Sequence, residues 1–195
     1  MKRLILASGS PRRRELLTEA GYTFKINPAD IDESNVPANL TGPEVAAYLA
    51  IAKARVIAAI EPGTVVLAAD TVVWLGNVLL GKPTDLTDAR RILAMLSGST
   101  HHVSTGVAVI ANGVERHTIV TSQVMMRDLT PDELDAYLAT GLWEGKAGAY
   151  GIQDNDPFVT KMEGSLTNIV GLPMDETRVL LEESGITPPV IQREP

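Results

Sequence analysis

Two long strand-like runs, at about 101–111 and 114–126, are separated only by Asn112-Gly113. This dipeptide is a strong signal for a type I′ hairpin turn, in which both central residues need a positive φ angle. The two runs therefore predict one long antiparallel hairpin. Elsewhere short apolar runs alternate with helical patterns, which is typical of an α/β layered domain. A hairpin inside such a domain indicates a mixed sheet flanked by helices.

The same patterns predict the remaining elements and a single domain. Further strands are expected near 3–7, 23–27, 65–69, 71–75 and 78–80. Helices are expected at about 11–20, 43–60, 88–97 with Thr87 as N-cap, from the capping box that begins at Thr130 to Gly141, and at about 174–184. We expect the domain to cover residues 1–186 and a frayed tail to cover 187–195.

The charge and cysteine content of the chain exclude several classes of binding partner and site. The chain has 17 Lys and Arg residues against 24 Asp and Glu residues, a net charge of −7. Polymeric nucleic acid and anionic membranes require a basic face, so neither is an expected partner. The absence of cysteine excludes disulfides, thiolate nucleophiles and cysteine zinc sites. No run resembles a signal peptide or a membrane span, so we expect a cytoplasmic protein.

The first candidate binding segment is residues 8–14, Ser-Gly-Ser-Pro-Arg-Arg-Arg, directly after the first strand. Ser10 is placed as the N-cap and Pro11 at the first helical position. Arginines at the positive end of a helix dipole are locally unfavourable unless an anion binds there. The helical period turns Arg13 inward and Arg14 outward. The alternative is a basic cluster that extends into solvent.

The helix at 43–60 carries the second candidate, Lys53. Its predicted buried stripe consists of Val45, Leu49, Ala52, Val56 and Ile60. Lys53 falls inside that stripe. Its ammonium therefore either extends past the helix edge or reaches a phosphate, and the helix alone favours neither.

Asp70 is the third candidate, because it interrupts the apolar run 65–75 and lies well before the turn at Gly76-Asn77. A carboxylate at the end of a central strand must be paired, hydrated or bound to a metal. Lys82, in Gly81-Lys82-Pro83, could return toward Asp70, and a structural ion pair is the alternative to catalysis. Glu33, after the second strand, is a further acidic candidate.

Glycines are closely spaced in 146–153 and 164–173. Such spacing lets backbone approach a ligand, and the amide of Gln153 offers a donor and an acceptor at a fixed separation, which suits a nucleobase edge. Plain turns are the alternative reading of both segments.

Taken in order, these motifs resemble those of the Maf family of nucleotide pyrophosphatases, which is related in fold to the inosine triphosphate pyrophosphatases. The matching segments are 8–13, 69–71, 81–83, 147–153 and 164–173, and they span nearly the whole chain. The resemblance implies an α/β fold with a mixed twisted sheet, two lobes and a deep cleft. It implies Asp70 as the catalytic carboxylate. The nucleotide would be surrounded by Ser10, Arg13, Glu33, Lys53, Lys82 and Gln153.

The resemblance also implies a substrate class. Members that act on dTTP and UTP are similar to this chain at Arg12, Thr71 and Gln153, whereas members that act on 7-methyl-GTP have Trp and Gln in place of this Arg12 and Thr71. The expected reaction is hydrolysis of dTTP or UTP to the monophosphate and pyrophosphate. Two alternatives stay open: the 7-methyl-GTP-type reaction, and a non-catalytic nucleotide sensor linked to septum formation.

The expected chemistry uses a divalent cation, Mg²⁺ or Mn²⁺. Asp70 would either deprotonate the attacking water or bind the metal that acidifies it, with Glu33 as a second ligand. The expected partners are small-molecule nucleoside triphosphates, with a homodimer as an open alternative.

Overall fold

A computed structural model describes residues 2–152 and 158–188 of the chain. The strands are β1 (Leu4–Leu6), β2 (Phe24–Ile26), β3 (Val65–Leu75), β4 (Val78–Leu80), β5 (Thr100–Ala111), β6 (Val114–Met126) and β7 (Val159–Glu163). The helices are α1 (Pro11–Glu19), α2 (Gly42–Ile60), α3 (Leu86–Leu96), α4 (Pro131–Ala139), α5 (Leu166–Val170) and α6 (Met174–Glu183), with a 3₁₀ turn at Ala147–Ala149. None of the described helices is long and apolar enough to cross a membrane.

The strands form one mixed sheet, as predicted. Its order is β2-β1-β3-β5-β6-β7, with β4 paired to the end of β3. β1 runs parallel to β2 and to β3, and the other pairs are antiparallel. The hairpin of β5 and β6 turns at Asn112 and Gly113, whose φ angles of 51° and 76° are those of a type I′ turn.

Residues 65–75 form one continuous strand, although two strands were predicted there. β3 pairs with β5 from Val65↔Ala111 to Trp74↔His102, and the pair Asp70↔Gly106 lies inside that ladder. The carboxylate changes only the side-chain pattern, because backbone pairing does not depend on it. The short elements β7 and α5 were not predicted. The first turn of α3 is also earlier than predicted, since Asp85 rather than Thr87 is its N-cap.

Helix α2 buries the predicted stripe only in its first half, where Val45 and Leu49 are buried. Val56 and Ile60 are 40% and 65% exposed. Three alanines, at 46, 50 and 54, are fully buried instead. A Cβ added at Gly106 would overlap the backbone carbonyl of Ala46, so α2 lies directly on the sheet at that glycine. This close approach favours small residues on the inner face, and Lys53 is buried beside them.

Three hydrophobic clusters surround the sheet. One packs α1 and α6 against β1, β3 and β5, and a second packs α2 against the opposite face of the same strands. The third packs α3 and α4 against the far ends of β3, β5 and β6. The middle of β3 lies where these clusters meet. Since successive side chains on a strand point to opposite faces, Asp70 and Thr71 face different helices there.

Candidate active site

A cleft of about 400 Å³ opens at the middle of β3. Its wall is formed by the β1–α1 loop, the start of α1, the inner face of α2 and the segments 145–152 and 169–171. The charged side chains among its described lining residues are five cations and two carboxylates: Arg12, Arg13, Lys53, Lys82, Lys146, Glu33 and Asp70. This part of an acidic chain is therefore locally basic, as a polyanionic ligand requires.

The first turn of α1 places Arg13 in the cleft. Ser10 is the N-cap, as predicted, and its hydroxyl accepts from the Arg13 amide at 3.4 Å, while Pro11 occupies the first helical turn. The guanidinium points inward: Nε donates to the Gly171 carbonyl at 2.8 Å and Nη1 to the Ser8 hydroxyl at 3.0 Å. Nη2 donates to the Thr71 hydroxyl at 3.0 Å.

All three partners of Arg13 are neutral. No described carboxylate oxygen lies within salt-bridge distance of its guanidinium. Burial lowers the pKa of Arg13, and the nearby charge of Asp70 opposes that shift. Because arginine stays protonated at any physiological pH, the result is a half-buried cation with no direct counterion among the described residues. Such a cation favours an anionic ligand.

The other two arginines of this segment occupy different environments. Arg12 is half-buried and lines the cleft. Burial lowers its pKa, and Glu15 opposes that shift. Arg14 is exposed and lies outside the cleft lining, as the helical period predicts.

On the α2 side of the cleft, Lys53 lies between two carboxylates. Its ammonium is 2.6 Å from Asp70 Oδ1 and 2.6 Å from Glu33 Oε1. Burial acts to raise the pKa of Glu33, but the hydrogen bond and charge of Lys53, together with the charges of Lys82 and Arg13, outweigh that effect and lower the pKa. Lys82 does not pair with Asp70, although the sequence had suggested that it could return toward that residue. Its ammonium is 3.7 Å from Glu33 Oε2 and largely exposed, because the loop after β4 ends on the outer side of Glu33.

The two carboxylates fit a divalent cation only in part. The described residues include no cluster of three or more His, Cys, Asp or Glu side chains suited to a metal. Mg²⁺, however, is commonly held by one or two carboxylates together with substrate phosphates and water. Asp70 and Glu33, each of which has an oxygen 2.6 Å from the Lys53 ammonium, supply the two carboxylates of that donor set.

The opposite end of the cleft is mainly apolar. Val73, Val103 and Ile169 line it, together with the tight turn at Ala147–Ala149. A Cβ on Gly148, whose φ is 75°, would lie 3.1 Å from Val73, so the turn can approach β3 only with glycine there. Gln153 lies outside the described residues.

Several residues at this site were not singled out from the sequence. The Ser8 hydroxyl accepts from Arg13 and from the Ser10 amide, which leaves its own hydrogen with no acceptor among the described residues. The motif Ser8-Gly9-Ser10 offers two hydroxyls, and the sequence alone favoured only the second. Thr105 and Asn168 were missed because nothing local distinguishes a buried threonine on a strand or an asparagine in a short helix.

Comparisons with known proteins identify the family of the chain. Residues 3–184 match the family model described as Maf-like protein. The chain is 47% identical to a protein of Anaeromyxobacter dehalogenans strain 2CP-C over 96% of both chains. It is 49% identical to a protein of Cereibacter sphaeroides, and the match covers 94% of this chain and 95% of that protein. It is 47% identical to a protein of Moorella thermoacetica, and the match covers 95% of this chain and 97% of that protein. Each of these three is named dTTP/UTP pyrophosphatase.

A solved structure supports the fold. The chain resembles a HAM1 protein from Coxiella burnetii with a TM-score of 0.53 and 17% identity, covering 93% of this chain and 100% of that one. At that identity the likeness concerns the architecture alone. The family match, by contrast, covers nearly the whole sequence and includes every described segment that forms the cleft. The chain belongs to the Maf family.

Proposed function

We propose that this protein is a metal-dependent nucleoside triphosphate pyrophosphatase that acts in the cytoplasm on dTTP and UTP. The products are the nucleoside monophosphate and pyrophosphate. The names of its relatives, which are 47–49% identical, support this substrate class. The proposal agrees with the predicted subclass, since Arg12 and Thr71 are both found in the cleft lining.

The observation that carries the proposal is the charge arrangement of the cleft. Arg13 is a half-buried cation whose three protein partners are all neutral. The carboxylates of Asp70 and Glu33, by contrast, are close together and bridged by Lys53. An anionic triphosphate would find cations at one side of the cleft and two possible metal ligands or bases at the other.

The reaction joins a water oxygen to the α-phosphorus and breaks the bond between that phosphorus and the oxygen bridging to the β-phosphate. Pyrophosphate leaves with the bonding electrons, and the water proton moves to a base. Asp70 is the residue proposed to accept the proton or to ligate the metal. Arg13 stabilises the charge on the phosphates, since its N–H groups are already oriented before substrate binds.

A bound Mg²⁺ or Mn²⁺ would neutralise phosphate charge and acidify water. The residues proposed to hold it are Asp70 and Glu33. Lys53 contacts both carboxylates and offsets the repulsion between them.

The test is a panel of nucleoside triphosphates assayed for pyrophosphate with Mg²⁺, with Mn²⁺ and with chelator. We expect dTTP and UTP to give equal amounts of monophosphate and pyrophosphate, and no activity with chelator. Release of orthophosphate together with the nucleoside diphosphate would contradict attack at the α-phosphorus. A nucleotide-dependent rise in melting temperature without any turnover would instead support a sensor. Preference for 7-methyl-GTP would refute the assigned substrate class.

A further inference from the structure

Two hydroxyl groups, on Thr71 and Thr105, form a line of hydrogen bonds that leads from Arg13 into the protein interior. Arg13 Nη2 is 3.0 Å from Thr71 Oγ1, which is 2.9 Å from Thr105 Oγ1. Thr105 Oγ1 is in turn 3.0 Å from the backbone carbonyl of Asn168. Thr105 and Asn168 are fully buried, so water does not compete for the hydrogen bond between them, whereas Arg13 and Thr71 are half-buried at the cleft wall. The line connects α1, β3, β5 and α5.

The chemistry of its two ends fixes the direction of every hydrogen bond. The Asn168 carbonyl can only accept, so the Thr105 hydrogen is donated to it. Thr105 must then accept from Thr71. Arginine can only donate, so Thr71 accepts from Arg13. The single hydroxyl hydrogen of Thr71 is therefore engaged inside the protein.

The other support of Arg13 is attached to the same short helix. Gly171, whose carbonyl accepts from Arg13 Nε, directly follows α5. The buried Asn168 side chain holds α5 against the sheet, donating to the Val103 carbonyl at 3.0 Å and to the Ser122 hydroxyl at 2.9 Å. The guanidinium is thus fixed from two directions that meet at Asn168.

We infer that Thr105 is a positioning residue that acts through Thr71 to orient the Arg13 guanidinium for the triphosphate. Thr71 then contributes by holding Arg13, and not by donating a hydrogen bond to the nucleobase. This inference rests on the proposed function, because the ligand of Arg13 is a phosphate group. Three of the five guanidinium N–H groups bind the protein, and two remain for phosphate oxygens.

The test compares Thr105→Val with Thr105→Ser. Valine is similar in size to threonine but cannot accept from Thr71, whereas serine keeps the hydroxyl. We expect kcat/KM for dTTP to fall roughly tenfold in the valine variant, the order of one lost hydrogen bond, and to stay within about twofold in the serine variant. Thr71→Val breaks the same line at a less buried position and should give a similar loss.

Ser104→Ala is the matched control. Ser104 is a buried hydroxyl on the same strand, but it faces the other way and accepts from Trp74 outside the cleft. A general weakening of β5 would affect both variants equally. We expect Ser104→Ala to lower the melting temperature while kcat/KM stays near that of the wild type.

A double-mutant cycle provides a second readout. If Thr105 acts through Arg13, Thr105→Val should change kcat/KM less than about twofold when Arg13 is already alanine, because the effects of coupled residues do not add. Additive losses, or equal losses in Thr105→Val and Ser104→Ala, would overturn the inference. Should the wild type hydrolyse no triphosphate, the proposed function fails. The inference is then tested by affinity for inorganic triphosphate, and unchanged affinity in Thr105→Val would refute it.

Discussion

The two cationic sides of the cleft contain the same kind of charge in opposite surroundings. On the α1 side, Arg13 is held by a carbonyl and two hydroxyls and has no direct counterion among the described residues. On the α2 side, Lys53 contacts two carboxylates at 2.6 Å. A cation with neutral partners retains its attraction for an incoming anion. A cation between carboxylates instead organises those carboxylates.

The largest expected effect is that of Asp70→Asn. Asparagine is nearly isosteric but has neither the charge nor the basicity of aspartate. Turnover should fall by about 10² to 10⁴ if Asp70 is the base, the range that general-base catalysis contributes. The fold should survive, because Lys53 keeps Glu33 as a partner.

Pyrophosphate release and melting temperature should be measured on this variant together with Asp135→Asn, an exposed aspartate on α4. Near wild-type turnover would refute the role of Asp70. Metal-dependent nucleotide affinity separates the two roles, since it persists if Asp70 is a base and is lost if Asp70 is a ligand.

The next effect separates Arg13 from its neighbour. Arg13→Ala removes the buried donors, and kcat/KM should fall by about 10², as for other preorganised charge-stabilising donors. Arg14→Ala, on the exposed side of the same turn, should change it less than about twofold. Steady-state kinetics on dTTP measure both. Comparable losses in the two variants would contradict the assignment of helix faces.

His101 sharpens the comparison, because it is a fully buried base that, like Arg13, has no carboxylate partner among the described residues. Unlike arginine, histidine can lose its charge, and burial lowers its pKa to about 4. Its stabilising effect is therefore complete above the unfolded pKa near 6.5 and is lost as pH falls toward 4. At pH 5 the wild type should lose about 2 kcal/mol of unfolding free energy from this group.

Urea unfolding of the wild type and His101→Gln between pH 7 and pH 4.5 measures that contribution. The unfolding free energy of the variant should decline less steeply toward acid pH. Its unfolding free energy at pH 7 should be lower than that of the wild type, because the hydrogen bond of 2.6 Å between the His101 ring and the Tyr150 hydroxyl is lost. His117→Gln, at an exposed position on β6, serves as the control and should keep the wild-type slope. Equal slopes in all three proteins would show that His101 titrates normally.

The smallest expected effect tests the Lys53 side. Lys53→Met keeps the aliphatic stem but removes the charge that lowers the pKa of Glu33. The acid limb of the pH profile of kcat/KM should move to higher pH, because the carboxylates must be ionised to act. The shift should be modest, since the Glu33 side chain is 44% exposed and water screens the interaction. Arg55→Met, on the exposed face of α2, should leave the limb unchanged.

The features that follow from local rules were predicted correctly. The hairpin at Asn112-Gly113 and the start of α1 at Ser10 depend on residues within a few positions of each other. The inward side chain of Arg13 follows from helical periodicity. The apolar run around Asp70 predicted strand structure on both sides of it, although Asp70 lies inside one continuous strand and not between two. The roles of these residues, and of Gln153 outside the described part, stay predictions.

The tertiary structure alone decided which distant groups meet. Glu33 reaches Lys53 from a loop, and Arg13, Thr71, Thr105 and Asn168 come from four separate elements. The predicted buried face of α2 was correct at Val45 and Leu49 but wrong at Val56 and Ile60. Its small buried residues were missed, because Gly106 on a remote strand sets how closely the helix approaches. Periodicity describes only neighbours along the chain. Contacts across the sheet depend on strand register and on packing. In packing, a glycine that has no side chain determines how closely two elements approach as much as a large side chain does.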